Sequence, residues 1–257
     1  MSRVKVVEIE KIEEKTPTVK SLFFDWDEDF KPGQFVMIWI PGVDEIPMAI
    51  SRKELNFITV KKRGEATETL HEVELGDKIG VRGPFGNSYS FEDDPIMVVT
   101  GGCGGASLIQ AVYEARRLGK NVISCLGAET EEELLFRDEF SRLTDMKIAT
   151  DDGSAGREGF VTELAFEVMD REDIGSVLTC GPEVMMKKVV EMCSERNIAV
   201  QASLERYMKC GIGICDSCAI DGKQVCIDGP VFRGKELVEM KEFGKFERKK
   251  DGRLEEI

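Results

Sequence analysis

Residues 3–92 carry their apolar side chains in short runs rich in β-branched and aromatic residues, which is how strands read in a sequence. Val4–Ile9, Val19–Trp26, Phe35–Ile40 and Asn56–Lys61 are the clearest runs. Lys31-Pro32-Gly33-Gln34 and Pro41-Gly42 punctuate them as turns. Glu65–Val73 alone looks helical. Gly76-Asp77 then leads into Lys78–Arg82 and the turn Gly83-Pro84-Phe85-Gly86. Several short strands with one helix predict a small antiparallel barrel.

The pattern changes after Asp93-Asp94-Pro95. Ile96–Thr100 is a continuous apolar run that ends in Gly101-Gly102-Cys103-Gly104-Gly105. Helical periodicity follows over Ala106–Leu118. Next come strand Val122–Leu126, helix Glu131–Leu143, strand Lys147–Thr150, helix Val161–Val168, strand Ser176–Thr179, helix Glu183–Glu195 and strand Ala199–Ala202. This alternation predicts a parallel sheet with helices on both faces. The chain thus reads as multi-domain, β barrel plus α/β. The barrel covers residues 1–93, the α/β region 94–203, and a small cysteine-bearing C-terminal region 204–257. The closing stretch FERKKDGRLEEI reads as a solvated tail.

Four of the eight cysteines, Cys210, Cys215, Cys218 and Cys226, fall within Leu204–Phe232 at the spacing C-x4-C-x2-C-x7-C. The first three positions match the plant-type ferredoxin pattern for a [2Fe–2S] cluster. A tight loop must aim several sulfurs at one small object. Gly211 and Gly213 let the backbone turn and bring N–H groups toward the sulfides, which would offset their negative charge. Cys226 would arrive from a short hairpin turning at Asp221-Gly222. Two other chemistries compete. Four thiolates can hold a structural zinc, although zinc ribbons usually pair two C-x2-C knuckles and only one is present. Buried thiols or disulfides are the third option, which four cysteines within 17 residues make a poor account.

Composition narrows the function classes. A net charge of −14, from 49 acidic and 35 basic residues, argues against nucleic acid and anionic membrane as partners. The start, MSRVKVVEIE, has no apolar signal core, and no apolar run approaches the roughly 20 residues that span a bilayer. Thiolate ligands suit a reducing compartment, so a cytoplasmic location is expected. His71 is the single histidine and sits in a helical-looking, surface-type segment. Histidine-based acid–base catalysis is therefore not expected.

The run GGCGGA follows a buried strand and opens a helix, the context in which glycines and helix N–H donors receive a diphosphate. Its spacing is not G-x-G-x-x-G, and an ordinary β–α turn is the alternative. Thr179-Cys180-Gly181-Pro182 follows another strand of the same sheet, at the carboxyl end where open α/β sheets bind ligands. Cys103 and Cys180 would sit there, while Cys125 and Cys193 read as core. Gly127-Ala128-Glu129-Thr130-Glu131 closes a second strand. Acidic residues there suit a ribose 2′-hydroxyl and repel a 2′-phosphate, which favours NADH over NADPH. In the barrel, Pro47-Met48-Ala49-Ile50-Ser51 and Lys61-Lys62-Arg63-Gly64-Glu65-Ala66-Thr67 stand out, but in isolation neither identifies a site.

Taken in order, the barrel, GPFG, GGxGG, CGP and the cysteine loop resemble the ferredoxin–NADP reductase superfamily. They are most similar to its dihydroorotate dehydrogenase B electron transfer subunits. The most specific match is ERYMKCGIGICDSC followed by VCIDGPVF, and the resemblance runs to about Glu239. It implies an FAD site on the barrel and an NAD site on the parallel sheet. The flavin motif Arg-Pro-x-Ser would map onto Ile46, Pro47, Met48 and Ala49, with Ile46 replacing the Arg and Ala49 the Ser, and Ile50 would extend the same flavin-contacting stretch. Thr59, Val60 and Lys61 match the next flavin-contacting strand. Gly64, Ala66 and Thr67 match the phosphate loop, with Ala66 where Gly is common. Gly101, Gly102, Gly104 and Gly105, together with Cys180, Gly181 and Pro182, match the nicotinamide side. Cys210, Cys215, Cys218 and Cys226 match the cluster ligands.

The resemblance also implies a partner: an FMN-containing dihydroorotate dehydrogenase catalytic subunit, in a complex with two of each chain, serving pyrimidine biosynthesis. The competing enzyme reading is the small flavin subunit of a ferredoxin transhydrogenase, sulfide dehydrogenase or hydrogenase. Those relatives often lack a cysteine at the position of Cys210. A non-enzymatic zinc module is the remaining option. Anaerobically purified protein is expected to hold about two irons and two acid-labile sulfides per chain, and Cys226→Ser to lose most of that iron. One tightly bound zinc without sulfide would contradict the cluster.

Overall fold

The computed structural model describes residues 3–257. Its first part is seven antiparallel strands and one helix: β1 Lys5–Glu8, β2 Lys11–Thr16, β3 Val19–Phe24, β4 Phe35–Ile40, β5 Asp44–Arg52, β6 Asn56–Lys61, α1 Glu65–Glu72 and β7 Lys78–Phe85. The strand order is β1-β7-β4-β5-β6-β3-β2. The two edge strands are separated only by Ile9 and Glu10. Ile9 N–H donates to Asp77 O beside β7, and Glu10 N–H donates to Phe23 O of β3, each at 2.8 Å. The chain therefore steps from one edge to the other, and the antiparallel sheet curls into a half-closed version of the expected barrel. Leu22, Phe24, Val36, Ile38, Ile58, Val60, Leu70 and Val81 fill its interior.

β4 is apolar on both faces for a reason. Val36, Ile38 and Ile40 point into the barrel, while Phe35 and Met37 point outward into a core shared with the rest of the chain. β2, by contrast, carries KIEEKT on a sheet edge. Charge on an edge strand blocks unwanted pairing but removes the apolar pattern by which a strand is read.

The second sheet contains β8 Ile96–Gly101, β9 Val122–Ala128, β10 Asp145–Thr150, β11 Arg157–Glu158, β12 Ser176–Cys180 and β13 Ala199–Ser203, all parallel. Helices α2 Gly104–Arg117, α3 Arg137–Leu143, α4 Val161–Arg171 and α5 Glu183–Glu195 cover it. The order is β11-β10-β9-β8-β12-β13. From β8 the chain winds first to one side and then, from β12, to the other. The crevice between β8 and β12 is thus the switch point at which such sheets bind ligands.

The helix expected over Glu131–Leu143 is broken. One 3-10 turn, Glu131–Glu133, is followed by Leu134, Leu135 and Phe136, all buried. A single helix cannot turn three consecutive side chains into one core. Phe136 takes a left-handed conformation, φ 57°, and α3 starts after it.

The C-terminal region supplies the hairpin β14 Ala219–Ile220 and β15 Lys223–Gln224, then α6 Val225–Asp228, β16 Val231–Arg233 and α7 Gly234–Leu237. Asp221 and Gly222 turn the hairpin with φ 44° and 78°, as expected of a two-residue hairpin turn. β16 pairs antiparallel with β13, which extends the parallel sheet by one strand. The tail expected to be solvated instead forms an exposed hairpin, β17 Phe246–Arg248 with β18 Leu254–Glu256. No helix among the described residues is long and apolar enough to cross a membrane.

Candidate functional site

The switch-point crevice opens into a cavity of about 660 Å³. The β8–α2 turn, the β12–α5 turn and the ends of β9 and β10 line it from the sheet. Lys61 and Arg63 line it from the barrel, and Glu205 and Arg206 from the segment after β13. The predicted glycines do different jobs here. Gly102 has φ +52° with open space around its α-carbon, so backbone is presented to the cavity. At Gly104 a β-carbon would lie 1.9 Å from the carbonyl oxygen of Cys180. Gly104 is therefore dictated by the approach of the two turns to each other. Gly181, φ +152°, packs on Gly101 from the other side, and Pro182 caps α5. Gly105 has ordinary room. Burial pushes the Cys180 thiol up to about 12, and those of Cys125 and Cys193 likewise, so these sulfurs pack and do not react.

Glu129 and Asp151 face the cavity from the ends of β9 and β10, as the acidic reading of that corner expects. Glu131 is instead paired with Arg137. Glu205 had no signal of its own in the sequence. It directly follows a parallel strand, and that position was the available clue. Glu205 is solvent-exposed, and its carboxyl opens onto the cavity. The surrounding cavity walls limit its hydration and hold its pKa above the usual carboxylate range, and Arg63 works against that shift.

On the barrel, strand alternation divides the expected flavin residues. Ile50 and Val60 lie in the barrel core and Met48 packs against it, so their side chains are turned away from the outer face. Met37, on the outer face, stands opposite Pro47 and Phe35 opposite Ala49, so Pro47 and Ala49 point outward. Ser51 Oγ donates to Ala106 O at 3.5 Å, and Arg52 N–H to Gln110 Oε1 at 2.8 Å, which sets this strand against α2. Lys61 lines the cavity, and Thr59 Oγ1 bonds Ser21 Oγ at 2.9 Å. Thr67 Oγ1 accepts from the N–H groups of Arg63 and Gly64 at 2.8 and 3.0 Å and donates to Gly64 O. Thr67 shapes the loop, and Ala66 packs toward the barrel core. Gly64 is extended with open space beside it. His71 Nε2 contacts Val60 O at 2.9 Å and stands apart from the cavity lining.

The cysteine loop follows the cavity wall directly. Gly211 and Gly213, at φ 68° and 74°, turn the backbone inward. The N–H groups of Ile212 and Ile214 reach Cys210 Sγ at 3.5 and 3.4 Å, and that of Gly213 reaches Cys226 Sγ at 3.2 Å. Neighbouring thiols also influence one another's ionisation, Cys210 that of Cys215 and Cys218 that of Cys226. Partial burial opposes ionisation of Cys215, but hydrogen bonds from Ser217 and Cys210 outweigh it and bring the thiol down to about 6. Burial and the Cys218 hydrogen bond push Cys226 up to about 12. Among the described residues no three His, Cys, Asp or Glu side chains converge on one ion. Four thiolates, with backbone N–H groups aimed at the sulfurs of Cys210 and Cys226 to offset negative charge, are what a binuclear cluster needs. The donor set thus fits [2Fe–2S].

A family model described as the iron–sulfur cluster binding domain of dihydroorotate dehydrogenase B matches residues 205–238. A second, the oxidoreductase NAD-binding domain, matches residues 98–191. The chain is 49% identical over 255 residues to the probable dihydroorotate dehydrogenase B (NAD(+)) electron transfer subunit of Methanocaldococcus jannaschii, covering 98% of each. It is 44% identical to that of Methanocella arvoryzae, covering 97% of each. The chain belongs to the family of dihydroorotate dehydrogenase B electron transfer subunits. Among solved structures, an NADH-dependent reduced ferredoxin–NADP oxidoreductase matches with a TM-score of 0.82 and 30% identity, over 92% of this chain and 91% of that one. The FAD/NAD-binding domain of Vibrio cholerae nitric oxide dioxygenase shares the fold, with a TM-score of 0.66 and 20% identity over 76% of this chain and 94% of that one.

Family membership makes the crevice geometry testable. Gly104→Ala drives a methyl into the Cys180 carbonyl and must force the β8–α2 turn outward. It should cost roughly 2–3 kcal/mol of stability and weaken NADH binding at least about tenfold. Thermal unfolding and NADH titration check both. Unchanged values would mean the two turns have slack that this geometry denies.

Proposed function

We propose that this chain carries electrons between NAD(H) and the FMN of a dihydroorotate dehydrogenase catalytic subunit, through FAD on the barrel and a [2Fe–2S] cluster on Cys210, Cys215, Cys218 and Cys226. One observation carries the reading. The segment after β13 begins as the wall of the nucleotide cavity, at Glu205, and becomes the cysteine loop five residues later, at Cys210. The place that receives a dinucleotide and the place that holds iron are one continuous stretch of chain. Bound FAD would supply the chemistry that couples two-electron exchange with NADH to one-electron exchange with the cluster.

The chain's own residues orient and enclose. Gly102 and the start of α2 receive the dinucleotide diphosphate. Glu129 favours a ribose 2′-hydroxyl, hence NADH. Pro47, Ala49, Thr59 and Lys61 border the flavin, and Gly64 with the Thr67-shaped turn receives its phosphates. Arg206, in a nearly buried ion pair with Glu183 of α5, fixes the cysteine loop to the cavity. No histidine lies at the cavity, and hydride transfer needs none.

Ile214 is 71% exposed beside exposed Cys215, whereas Met208 is buried and Ile212 half-buried. Ile214, with exposed Ile227 close by, offers the apolar contact for a partner at the cluster edge. We read the complex as two of each chain, in the cytoplasm, where thiolates persist. The likeness to the ferredoxin–NADP oxidoreductase favours, as a second reading, the small subunit of another NAD(P)H-linked enzyme. The copurifying partner separates the two. The chain alone should reduce dyes with NADH but not oxidise dihydroorotate, and adding the catalytic subunit should link the activities. Ile214→Glu should cut the linked rate at least about tenfold and leave dye reduction within about twofold. Dihydroorotate oxidation by the isolated chain would overturn this division of labour.

A further inference from the structure

Arg82 of β7 stands where the barrel meets the cysteine loop. Its guanidinium forks onto Glu45 of β5, with Nε to Oε1 at 2.9 Å and Nη2 to Oε2 at 2.8 Å. Nη2 also donates to the carbonyl oxygen of Cys210 at 3.0 Å. The group lies 5.0 Å from the centre of the Phe85 ring. In register, Arg82 stands opposite Met37, and Met37 opposite Pro47. Met37 is fully buried, and a β-carbon on Gly211 would lie 3.1 Å from its Cγ. The row Pro47–Met37–Arg82 therefore runs from the proposed flavin strand to the first cysteine and its neighbour.

An apolar contact would suffice to hold a loop in place. Here a permanently charged group is bonded to the backbone of a ligand residue, with a carboxylate as counter-ion. The side chains of Arg82 and Glu45 are 13% and 24% exposed, so water screens them only in part.

We propose that Arg82 is a positioning residue for the iron–sulfur site, which holds Cys210 against the barrel and, in balance with Glu45, sets how readily that site accepts an electron. This rests on the reading that the four cysteines hold the cluster. Reduction adds one negative charge. A nearby cation favours the reduced form and a nearby carboxylate opposes it. Removing Arg82 and removing Glu45 therefore shift the equilibrium in opposite directions. A purely mechanical clamp behaves otherwise, because losing either half loosens the same loop.

The test is an EPR-monitored redox titration of the full chain with dithionite as reductant, with iron and acid-labile sulfide measured on the same samples. Arg82→Met should lower the midpoint potential and Glu45→Gln should raise it. Each shift should be about three- to tenfold in the reduced-to-oxidised ratio at fixed potential, tenfold being about 59 mV for a one-electron couple. Arg82→Lys keeps the charge without the fork. It should stay within about threefold of the wild type while broadening the signal. Should Arg82→Met fail to take up iron, Glu45→Gln and Arg82→Lys decide: a Glu45→Gln midpoint that is unchanged or lowered overturns the proposal. So do shifts of one sign in Arg82→Met and Glu45→Gln, or no shift in either, and these leave the cluster assignment standing. Wild-type protein without iron and sulfide overturns both.

Discussion

One shared core makes the rest of the structure possible. Phe35 and Met37 of the barrel, Met97 and Val99 of the parallel sheet, and Cys218, Cys226 and Phe232 of the C-terminal region belong to a single buried apolar cluster. Asn87 then pins the seam with polar bonds. Its Nδ2 donates to the carbonyls of Asp228 and Val231 at 3.0 and 2.8 Å, and its Oδ1 accepts from Val231 N–H at 2.9 Å. Electron transfer demands fixed separations between centres. A core that spans all three regions supplies that rigidity, because close-packed interiors resist small displacements.

The same packing sorts the cysteines. Cys125, Cys180 and Cys193 are sealed in apolar surroundings that disfavour the thiolate. Cys210 and Cys226 in the loop instead meet backbone N–H donors. Spacing alone suggested that difference, and the hydrogen bonds give its cause.

Much of the architecture was legible because it depends on local pattern. The continuous run Ile96–Thr100 announced a central parallel strand, and all six residues of β8 are buried. What escaped depended on distant partners. β2 is an edge strand and carries no apolar stripe. At the break, Phe136 packs its ring near that of Phe57 in the barrel, at 6.1 Å, a partner distant in sequence. The closing hairpin is tied by Arg206 to Phe246 O and brings Glu247 to the cavity, a contact invisible in a charged tail. Glu205 looked like any acidic residue until the fold placed it in the cavity wall. The flavin strand was legible in position but not in facing. Alternation turns Met48 and Ile50 inward and leaves Pro47 and Ala49 to the outer surface.

The central claim is that one chain converts a two-electron donor into a one-electron source. Mixing the loaded wild-type protein anaerobically with NADH, and following flavin absorbance together with low-temperature EPR, tests it most directly. The account predicts that the flavin bleaches and that a rhombic signal of about one unpaired electron per chain grows over the same additions of NADH. Flavin that bleaches while the cluster stays oxidised would contradict it.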